Sequence, residues 1–234
     1  MNPDLVNNRH VCLVLSCQRP FYDSRRKANQ TTFDILKECG FIVFYIVADN
    51  SITSIQFNQL ATDEYIMTVP CPEMYELISY KMNLVYNYFN NTSCKGVLKI
   101  DDNTIISFSD IIKYDFMELT EKHDYIGLDI VHRSPKNSEY IYLKNRTQIP
   151  LFENIYHKLD IDMSYFGGPF YYISKKALSQ VVKVGLVFSY EDLSVGYAIC
   201  KNSALKRYTW LFKDRGISWD NLKEVEHEKI KRKI

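Results

Sequence analysis

The chain has 234 residues, of which 46% are hydrophobic and 24% are charged, and its formal net charge is +1. A chain of this length and apolar content can bury the core of one sizeable α/β domain. The near-neutral charge argues against the basic surface that a nucleic-acid-binding protein needs, so we expect no nucleic-acid partner. The six cysteines form no CxxC pair, which is typical of reduced core thiols rather than of a disulfide framework or a zinc site.

The two ends of the chain bear on its location. The first residues show no positive region followed by an apolar run, and no apolar stretch of the sequence is long enough to span a bilayer. We therefore expect a cytoplasmic protein without a transmembrane segment. Residues 227–234 are locally basic. This pattern predicts a solvated tail, with peripheral contact to a membrane surface as the alternative.

Short apolar runs in the first half of the chain predict buried strands. These runs are residues 11–16, 41–47, 65–69 and 96–100. Helical periodicity predicts a helix over residues 24–39, where Gly40 follows as a stop signal, and a second helix over residues 73–89. Lys81 falls within the apolar stripe of this second helix, where an aliphatic residue is usual.

The second half of the chain continues the alternation of strands and helices. The expected elements are a helix at 109–122, a strand at 125–129, a hairpin or extended excursion at 137–149, a strand at 170–174, and helices at 175–183 and 191–201. This order predicts an α/β fold, with a mostly parallel central sheet flanked by helices. We expect a single domain over residues 10–212, an N-terminal extension over 1–9 and a basic tail over 213–234.

Two adjacent aspartates and an asparagine follow the fourth predicted strand. Ligands of an open α/β sheet bind beyond the carboxyl ends of its strands. Asp101 and Asp102 would repel each other there unless a cation neutralises them. Together with Asn103 they offer oxygen ligands that suit Mg²⁺ or Mn²⁺. The alternative is a polar turn whose side chains cap the next segment.

A second acidic pair, Glu191 and Asp192, precedes the last predicted helix. These residues are candidates for catalytic carboxylates, but acidic side chains also favour helix N-termini because of capping and the helix dipole. The turn at residues 167–169 contains two glycines, which let a backbone approach a ligand closely.

Three cationic side chains are candidates for binding phosphate. Lys81 either directs its ammonium at an anion in the site or places it in water beside an apolar stem. Arg25 and Arg26 either bind phosphate at the start of the first helix or form a solvated turn.

Five segments of the chain occur in an order that is found in one enzyme family. Residues 24–33 are similar to Arg-Arg-x-Ala-Ile-Arg-x-Thr-Trp, with Gln30 at the second arginine site and Phe33 at the tryptophan. The other segments are 75–81, similar to Tyr-x-Asn-Leu-Thr-x-Lys; 98–103, similar to Leu-Lys-x-Asp-Asp-Asp; 165–174, similar to Gly-Gly-Gly-Tyr-x-x-Ser; and 191–196, similar to Glu-Asp-Val-x-x-Gly. Over residues 10–201 the chain therefore resembles the inverting β1,3-glycosyltransferases, which include β1,3-galactosyl- and N-acetylglucosaminyltransferases and the fringe proteins.

The resemblance implies a Rossmann-like GT-A fold and a transfer reaction that inverts the anomeric carbon. The donor would be a nucleotide-sugar, a UDP-sugar in this family, that carries a hexose or an N-acetylhexosamine. The acceptor would be a hydroxyl of a glycan or glycoconjugate. The cofactor would be Mn²⁺ or Mg²⁺.

The resemblance also implies roles for individual residues. Asp192 would be the general base, with Glu191 beside it as the second catalytic carboxylate. The donor-binding residues would be Ser16, Arg25, Arg26, Asp49, Lys81, Asp101 and Asp102. The metal ligands would be Asp101, Asp102, Asn103 and His227, the histidine that follows the Glu-Asp motif. The residues lining the sugar and acceptor would be Gly167, Gly168 and Phe170.

Two departures from the family pattern leave other functions open. Asn103 replaces a third aspartate, and a neutral amide binds a divalent cation more weakly than a carboxylate does. Asn103 and Gln30 favour a catalytically retired GT-A-fold module that binds a carbohydrate or a nucleotide. A nucleotidyltransferase-like α/β enzyme is a further alternative, and the lack of a glycine-rich nucleotide loop argues against it.

Overall fold

A computed structural model describes most of the chain. The described residues are 3–18, 20–74, 77–106, 111–128, 130–133, 161–185, 188, 190–210 and 217–219. The predicted excursion at 137–149 and the histidine His227 lie outside these residues.

In chain order, the strands of the described residues are β1 (His10–Leu15), β2 (Phe41–Ala48), β3 (Gln56–Ala61), β4 (Glu64–Val69), β5 (Gly96–Asp101), β6 (Thr104–Ile106), β7 (Tyr125–Gly127), β8 (Ile130–Arg133), β9 (Met163–Phe166), β10 (Phe170–Ser174), β11 (Arg207–Thr209) and β12 (Ile217–Trp219). The α-helices are α1 (Pro20–Ala28), α2 (Gln30–Glu38), α3 (Ile78–Asn90), α4 (Met117–Lys122), α5 (Lys175–Val184) and α6 (Glu191–Cys200). A 3₁₀ turn covers Pro3–Val6, and a π-helical turn covers Ile111–Phe116.

The central sheet has eight strands in the order β11-β7-β10-β5-β1-β2-β4-β3. Its middle is parallel, because β4, β2, β1 and β5 all run in one direction. Strand β10 is inserted antiparallel between β5 and β7, and β3 closes one edge antiparallel to β4. The expectation of an α/β fold with a mostly parallel central sheet flanked by helices is confirmed.

The apolar strands are covered on both faces, as their continuous hydrophobic runs predict. All eight residues of β2 are buried. Alternate residues of this strand enter two separate cores, because successive side chains point to opposite faces. Phe44 belongs to the core that includes residues of α3, α5 and α6 on one face, whereas Tyr45 belongs to the core that includes residues of α2 and Trp210 on the other. Burial of a large apolar side chain stabilises a fold by about 1.5–3 kcal/mol.

Several elements differ from the sequence-based expectation, and the short strands β6, β8, β9, β11 and β12 were not predicted. The predicted helix at 24–39 is two helices separated at Asn29, and the first begins at Pro20 within what was expected to be a loop. Proline suits the first helical turn because its φ is already fixed. Strand β3 was missed because its residues are mostly polar and exposed, as at a sheet edge. Helix α3 begins at Ile78 rather than at Glu73.

Gly40 ends the second of these helices, as its position predicts. It follows α2 with a φ of +87°, a conformation that L side chains rarely adopt. Among the described residues, no helix combines the length and the apolar composition that crossing a membrane would require.

Candidate functional site

Polar and charged side chains gather at one edge of the central sheet. Ser16, Asp49 and Asp102 each follow the carboxyl end of a parallel strand, namely β1, β2 and β5. Strand β10 runs the other way, so its beginning meets the same edge, where Phe170 pairs with Ile100. This edge is where an open α/β sheet binds its ligands.

The first group, here called the arginine cluster, consists of Ser16, Arg25, Arg26 and Asp102. Arg25 Nη1 lies 2.6 Å from Asp102 Oδ1, and Ser16 Oγ donates a hydrogen bond of 3.2 Å to Asp102 Oδ2. Arg26 Nη1 donates to Ser16 Oγ at 2.8 Å. Burial raises the pKa of the Asp102 carboxyl, and the Arg25 guanidinium opposes that rise. Sequence positions 16, 25, 26 and 102 therefore meet in space as predicted.

Helix α1 carries both arginines. The residue that follows this helix, Asn29, anchors it to the arginine cluster. Asn29 is 8% exposed, and its side-chain amide donates a hydrogen bond of 2.6 Å to the carbonyl oxygen of Asp102. The break between α1 and α2 therefore lies directly against the polar turn that follows β5.

The second group, here called the lysine cluster, consists of Lys99, Asp101, Gly168 and Glu191. Lys99 Nζ lies 2.6 Å from Asp101 Oδ1 and 3.0 Å from Glu191 Oε1, and it donates to the Gly168 carbonyl oxygen at 2.5 Å. The contact with Glu191 is an ion pair whose geometry is too poor for a hydrogen bond. Burial lowers the pKa of Lys99, but the two carboxylates outweigh burial and raise it overall.

Asp192 adjoins the lysine cluster at the start of α6. Its Oδ2 accepts a hydrogen bond of 3.0 Å from Gly168 N–H, and its Oδ1 accepts one of 2.7 Å from Leu193 N–H. Burial, together with the neighbouring Glu191 carboxylate, raises the pKa of Asp192 to about 7, although Lys99 and the two backbone donors oppose the rise. Asp192 therefore lies in the first turn of α6, where a carboxylate suits the helix dipole, and also has a pKa suited to a base at neutral pH.

Lys81 lies behind the arginine cluster. It is 3% exposed, and its ammonium is 2.5 Å from Glu73 Oε1 and donates to the Ser16 carbonyl oxygen at 2.8 Å. Glu73 Oε2 in turn accepts from Ala48 N–H at 2.7 Å. Lys81 thus differs from both sequence-based readings, because its ammonium is neither in water nor free to receive an anion. It joins the ends of β1 and β2.

The comparisons with known proteins do not assign the chain to a family. No protein-family model matches it, and no curated protein sequence matches it. Among solved structures, it is similar to HddC from Yersinia pseudotuberculosis with a TM-score of 0.44 and 10% identity, over 97% of this chain and 100% of that chain.

The turn at 167–169 is built into the site, but Phe170 is not exposed in it. A Cβ atom on Gly168 would lie 3.4 Å from Lys99 Nζ and 3.5 Å from Asp192 Oδ2, so this glycine covers the charged groups closely. Phe170 is 1% exposed and packs against Phe116 and Trp210 in the core. Its predicted contact with a sugar is not supported by this packing.

The two adjacent aspartates are neutralised separately. Asp102 pairs with Arg25, whereas Asp101 pairs with Lys99, so each of the two clusters receives one carboxylate. The repulsion that predicted a shared divalent ion is therefore relieved by two protein cations. Within the described part of the chain, no group of three or more His, Cys, Asp or Glu side chains is placed to hold a metal ion.

Within the described residues, the two remaining predicted residues make no hydrogen bond to a side chain of either cluster. Asp49 is half-buried, and its Oδ1 accepts from Ser51 N–H at 2.8 Å. Hydrogen bonding from the Ser51 side chain, together with this N–H, lowers the pKa of Asp49. Asn103 is half-buried and makes no side-chain hydrogen bond within the described residues.

Sequence reasoning missed Lys99 as a site residue, although the chain carries a signal for it. Lys99 interrupts the apolar run of β5, and a charged side chain at a buried position needs a paired partner. The same argument had been applied to Lys81. Asn29 was missed because an asparagine within a helical pattern does not reveal its long-range partner.

Proposed function

We propose that this chain is an inverting glycosyltransferase, which moves a hexose or an N-acetylhexosamine from a UDP-sugar to a hydroxyl of an acceptor sugar. The observation that carries the proposal is Asp192, a half-buried carboxyl with a pKa of about 7 at the polar edge of the sheet. A general base works best when its pKa lies near the operating pH. The order of the five family-like segments supports the same function.

The transfer step needs a group that takes a proton. The acceptor oxygen forms a bond to the anomeric carbon while the bond from that carbon to the phosphate oxygen breaks. The acceptor proton passes to Asp192, and the leaving nucleoside diphosphate keeps the electron pair. Gly168 N–H and Leu193 N–H each use one lone pair of the Asp192 carboxylate. A carboxylate has about four lone-pair sites, so the acceptor proton still has a site on Asp192.

The arginine cluster is suited to the leaving diphosphate. Negative charge develops there in the transition state, so fixed cations and donors lower the barrier. Arg25 and Arg26 each carry five N–H donors. Arg25 uses part of them on Asp102, and Arg26 uses part of them on Ser16, Asp23 and the Cys17 carbonyl oxygen. Ser16 and Asp49, which follow neighbouring strands, would border the nucleoside. Lys81 would support Ser16 from behind rather than contact the donor itself.

The residues fit a weakly held Mn²⁺ or Mg²⁺ rather than a strong carboxylate cage. Asp102 is 3% exposed and already paired with Arg25, which leaves Asp101 and Asn103 as the residues that would hold the ion. The Asp101 side chain is 31% exposed. When bound, the ion would offset part of the charge on the diphosphate.

A binding module without turnover is the second candidate. Asn103 at the third acidic position and the internal pairing of Arg25 and Lys81 favour it. Such a module would bind a nucleotide-sugar but would release no nucleoside diphosphate with any metal.

The experiment that tests the proposal measures UDP release. A panel of UDP-sugars is offered with mono- and disaccharide acceptors, with and without Mn²⁺, and binding of UDP is followed in parallel by thermal shift. Acceptor-dependent release of UDP would support a transferase. Stabilisation by UDP without any release would favour the binding module. If no nucleoside diphosphate stabilises the chain and none is released, the donor site is wrongly assigned.

A further inference from the structure

Lys99 is the most deeply buried charged side chain near the site. It lies within β5 and is 1% exposed. A buried ammonium is costly unless it is paired and fully hydrogen-bonded. Oxygen atoms of Asp101 and Gly168 accept hydrogen bonds from this ammonium, and Glu191 adds an ion pair.

Two of these three contacts lead directly to Asp192. Gly168 accepts a hydrogen bond from Lys99 through its carbonyl oxygen and donates one to Asp192 through its N–H. Glu191 is the residue before Asp192 and opens the same helix. Lys99 therefore touches both groups that flank the Asp192 carboxylate. It does not touch Asp192 itself in a hydrogen bond.

We propose that Lys99 is a positioning residue for Asp192: its buried ammonium holds the Gly168 turn and Glu191 in place and balances the charge beside the base. This inference rests on the proposed function for the role of Asp192 in transfer. Lys99 also contacts Asp101 directly. The same ammonium therefore links the surroundings of the base to the end of β5 that would face the donor.

The charges around Asp192 show why this ammonium matters. Glu191 raises the pKa of Asp192, and Lys99 is the cation among the described residues that lowers it. The hydroxyl groups of Tyr86 on α3, Tyr125 on β7 and Tyr165 on β9 are also electrostatically linked to Asp192. Without Lys99, Asp192 would face the Glu191 carboxylate with no compensating charge, and its proton would be held more tightly.

The test replaces Lys99 by methionine, which keeps the length of the side chain and removes its charge. Because Lys99→Met leaves buried carboxylates unpaired, a second variant, Lys99→Met with Asp101→Asn, removes one of those charges and still leaves Glu191 uncompensated. Lys175→Met is the matched control. Lys175 donates to the carbonyl oxygens of Phe89, Asn90 and Thr92 at 2.6–2.9 Å, beyond the opposite end of β10.

Two readouts are measured on each protein. The first is the titration of the Asp192 carboxyl carbon by NMR, assigned through its loss in Asp192→Asn. The second is kcat for UDP release against pH. In both Lys99 variants, the midpoint of the Asp192 titration is expected to lie about one to three pH units higher than in wild type. The acidic limb of the kcat–pH profile is expected to shift to higher pH by the same amount. At neutral pH kcat is expected to fall by about 10²-fold, with partial recovery at alkaline pH. Lys175→Met is expected to lower stability only.

The possible outcomes separate this inference from the proposed function. An Asp192 midpoint that does not move in either Lys99 variant overturns the inference, whether or not the protein turns over. A midpoint that moves in the Lys99 variants, when the wild-type protein releases no UDP, supports control of Asp192 by Lys99 but overturns the transferase proposal. A loss of kcat that is equal at every pH would mean that Lys99 is only structural.

Discussion

At the scale of single residues, the site depends on carboxylates that the protein keeps in different environments. Asp102 is 3% exposed and bound to Arg25, whereas Asp192 is half-buried and has a raised pKa. Groups with such different partners can take different roles in one reaction. The residue-scale predictions concern Asp192 and Asn103.

Asp192→Asn is expected to abolish most transfer while leaving donor binding close to that of the wild type. The amide keeps the size of the side chain but cannot accept the acceptor's proton at neutral pH. The expected loss in kcat is about 10²–10⁴-fold, measured as UDP release at saturating donor. UDP thermal shift on the same variant reports binding.

The melting temperature of Asp192→Asn is a second readout. Because the folded-state pKa of Asp192 is raised, the native protein binds this proton more tightly than the unfolded chain, and its stability falls as pH rises through that range. The variant is therefore expected to gain stability over wild type at alkaline pH. Glu118→Gln, at the exposed start of α4, is the control for loss of an acidic helix residue. Full activity in Asp192→Asn would move the search for a base to Glu191.

Asn103→Asp is expected to strengthen the effect of Mn²⁺ on UDP binding. The change gives Asp101 a charged neighbour and converts an amide ligand into a carboxylate, which hard divalent cations prefer. The measurement is the additional thermal shift that Mn²⁺ produces in the presence of UDP. Asn58→Asp, on exposed strand β3, adds the same charge away from the site. Equal Mn²⁺ responses in Asn103→Asp and wild type would mean that position 103 does not reach the ion.

At the scale of elements, the site is assembled from strand ends, a helix start and a break between two helices. Apolar runs predicted β1, β2, β4 and β5 because their residues are buried on both faces. The same reasoning missed β3, because an edge strand with polar side chains has no apolar signature. Helical periodicity predicted one continuous helix in place of α1 and α2, because the pattern contains no information about the long-range hydrogen bond of Asn29.

Asn29→Ala is expected to weaken both the fold and UDP binding. The change removes the bond to the Asp102 carbonyl oxygen and leaves a buried acceptor unpaired, which costs about 1–3 kcal/mol. It also frees the end of α1, which carries Arg25 and Arg26. Unfolding in urea and titration with UDP measure the two effects. Asn91→Ala is the matched control, because Asn91 makes an exposed side-chain bond to Asn87 at the far end of α3. If UDP affinity is unchanged in Asn29→Ala, the arginines do not depend on this contact.

For the molecule as a whole, the sequence predicted the fold class and the sheet edge that carries the site. It did not predict which charged side chains pair with one another at that edge. Alternation of strands and helices implies a sheet with a ligand edge, and Asp101 and Asp102 were located from that, whereas Glu191 and Asp192 were located as an acidic pair before a predicted helix. Which cation pairs with which carboxylate depends on contacts between residues up to about ninety positions apart, such as Lys99 and Glu191. Local periodicity carries no information about such contacts.

The stability of the molecule also depends on a histidine at the other end of β1. His10 is 5% exposed and packs between Phe41 and Tyr172, and burial lowers its pKa to about 4. The unfolded chain therefore binds this proton first, and the stability that neutral His10 contributes is lost as pH falls below about 6.5. Between about pH 7 and about pH 5 the loss is about 2 kcal/mol.

His10→Phe is expected to remove this loss. The free energy of unfolding in urea, measured at both pH values, should fall less for the variant than for wild type. Protonation of Asp192 acts in the opposite direction over this range, so the comparison with wild type, rather than the wild-type curve itself, is decisive. Equal pH dependence in the two proteins would show that His10 has the same pKa in the native and the unfolded protein.

The separate neutralisation of Asp101 and Asp102 has a consequence for how any anion enters the site. In the free protein Arg25 already has a counter-ion, so a diphosphate must exchange with Asp102 for this guanidinium rather than meet an empty cation. After the exchange, the buried Asp102 carboxylate has lost its counter-ion. A proton or a metal ion must then bind at the same time to neutralise it. Affinity for the diphosphate and uptake of positive charge are then linked, and linkage is reciprocal. A site whose cations are already paired with carboxylates would be selective for ligands that bind together with a cation of their own.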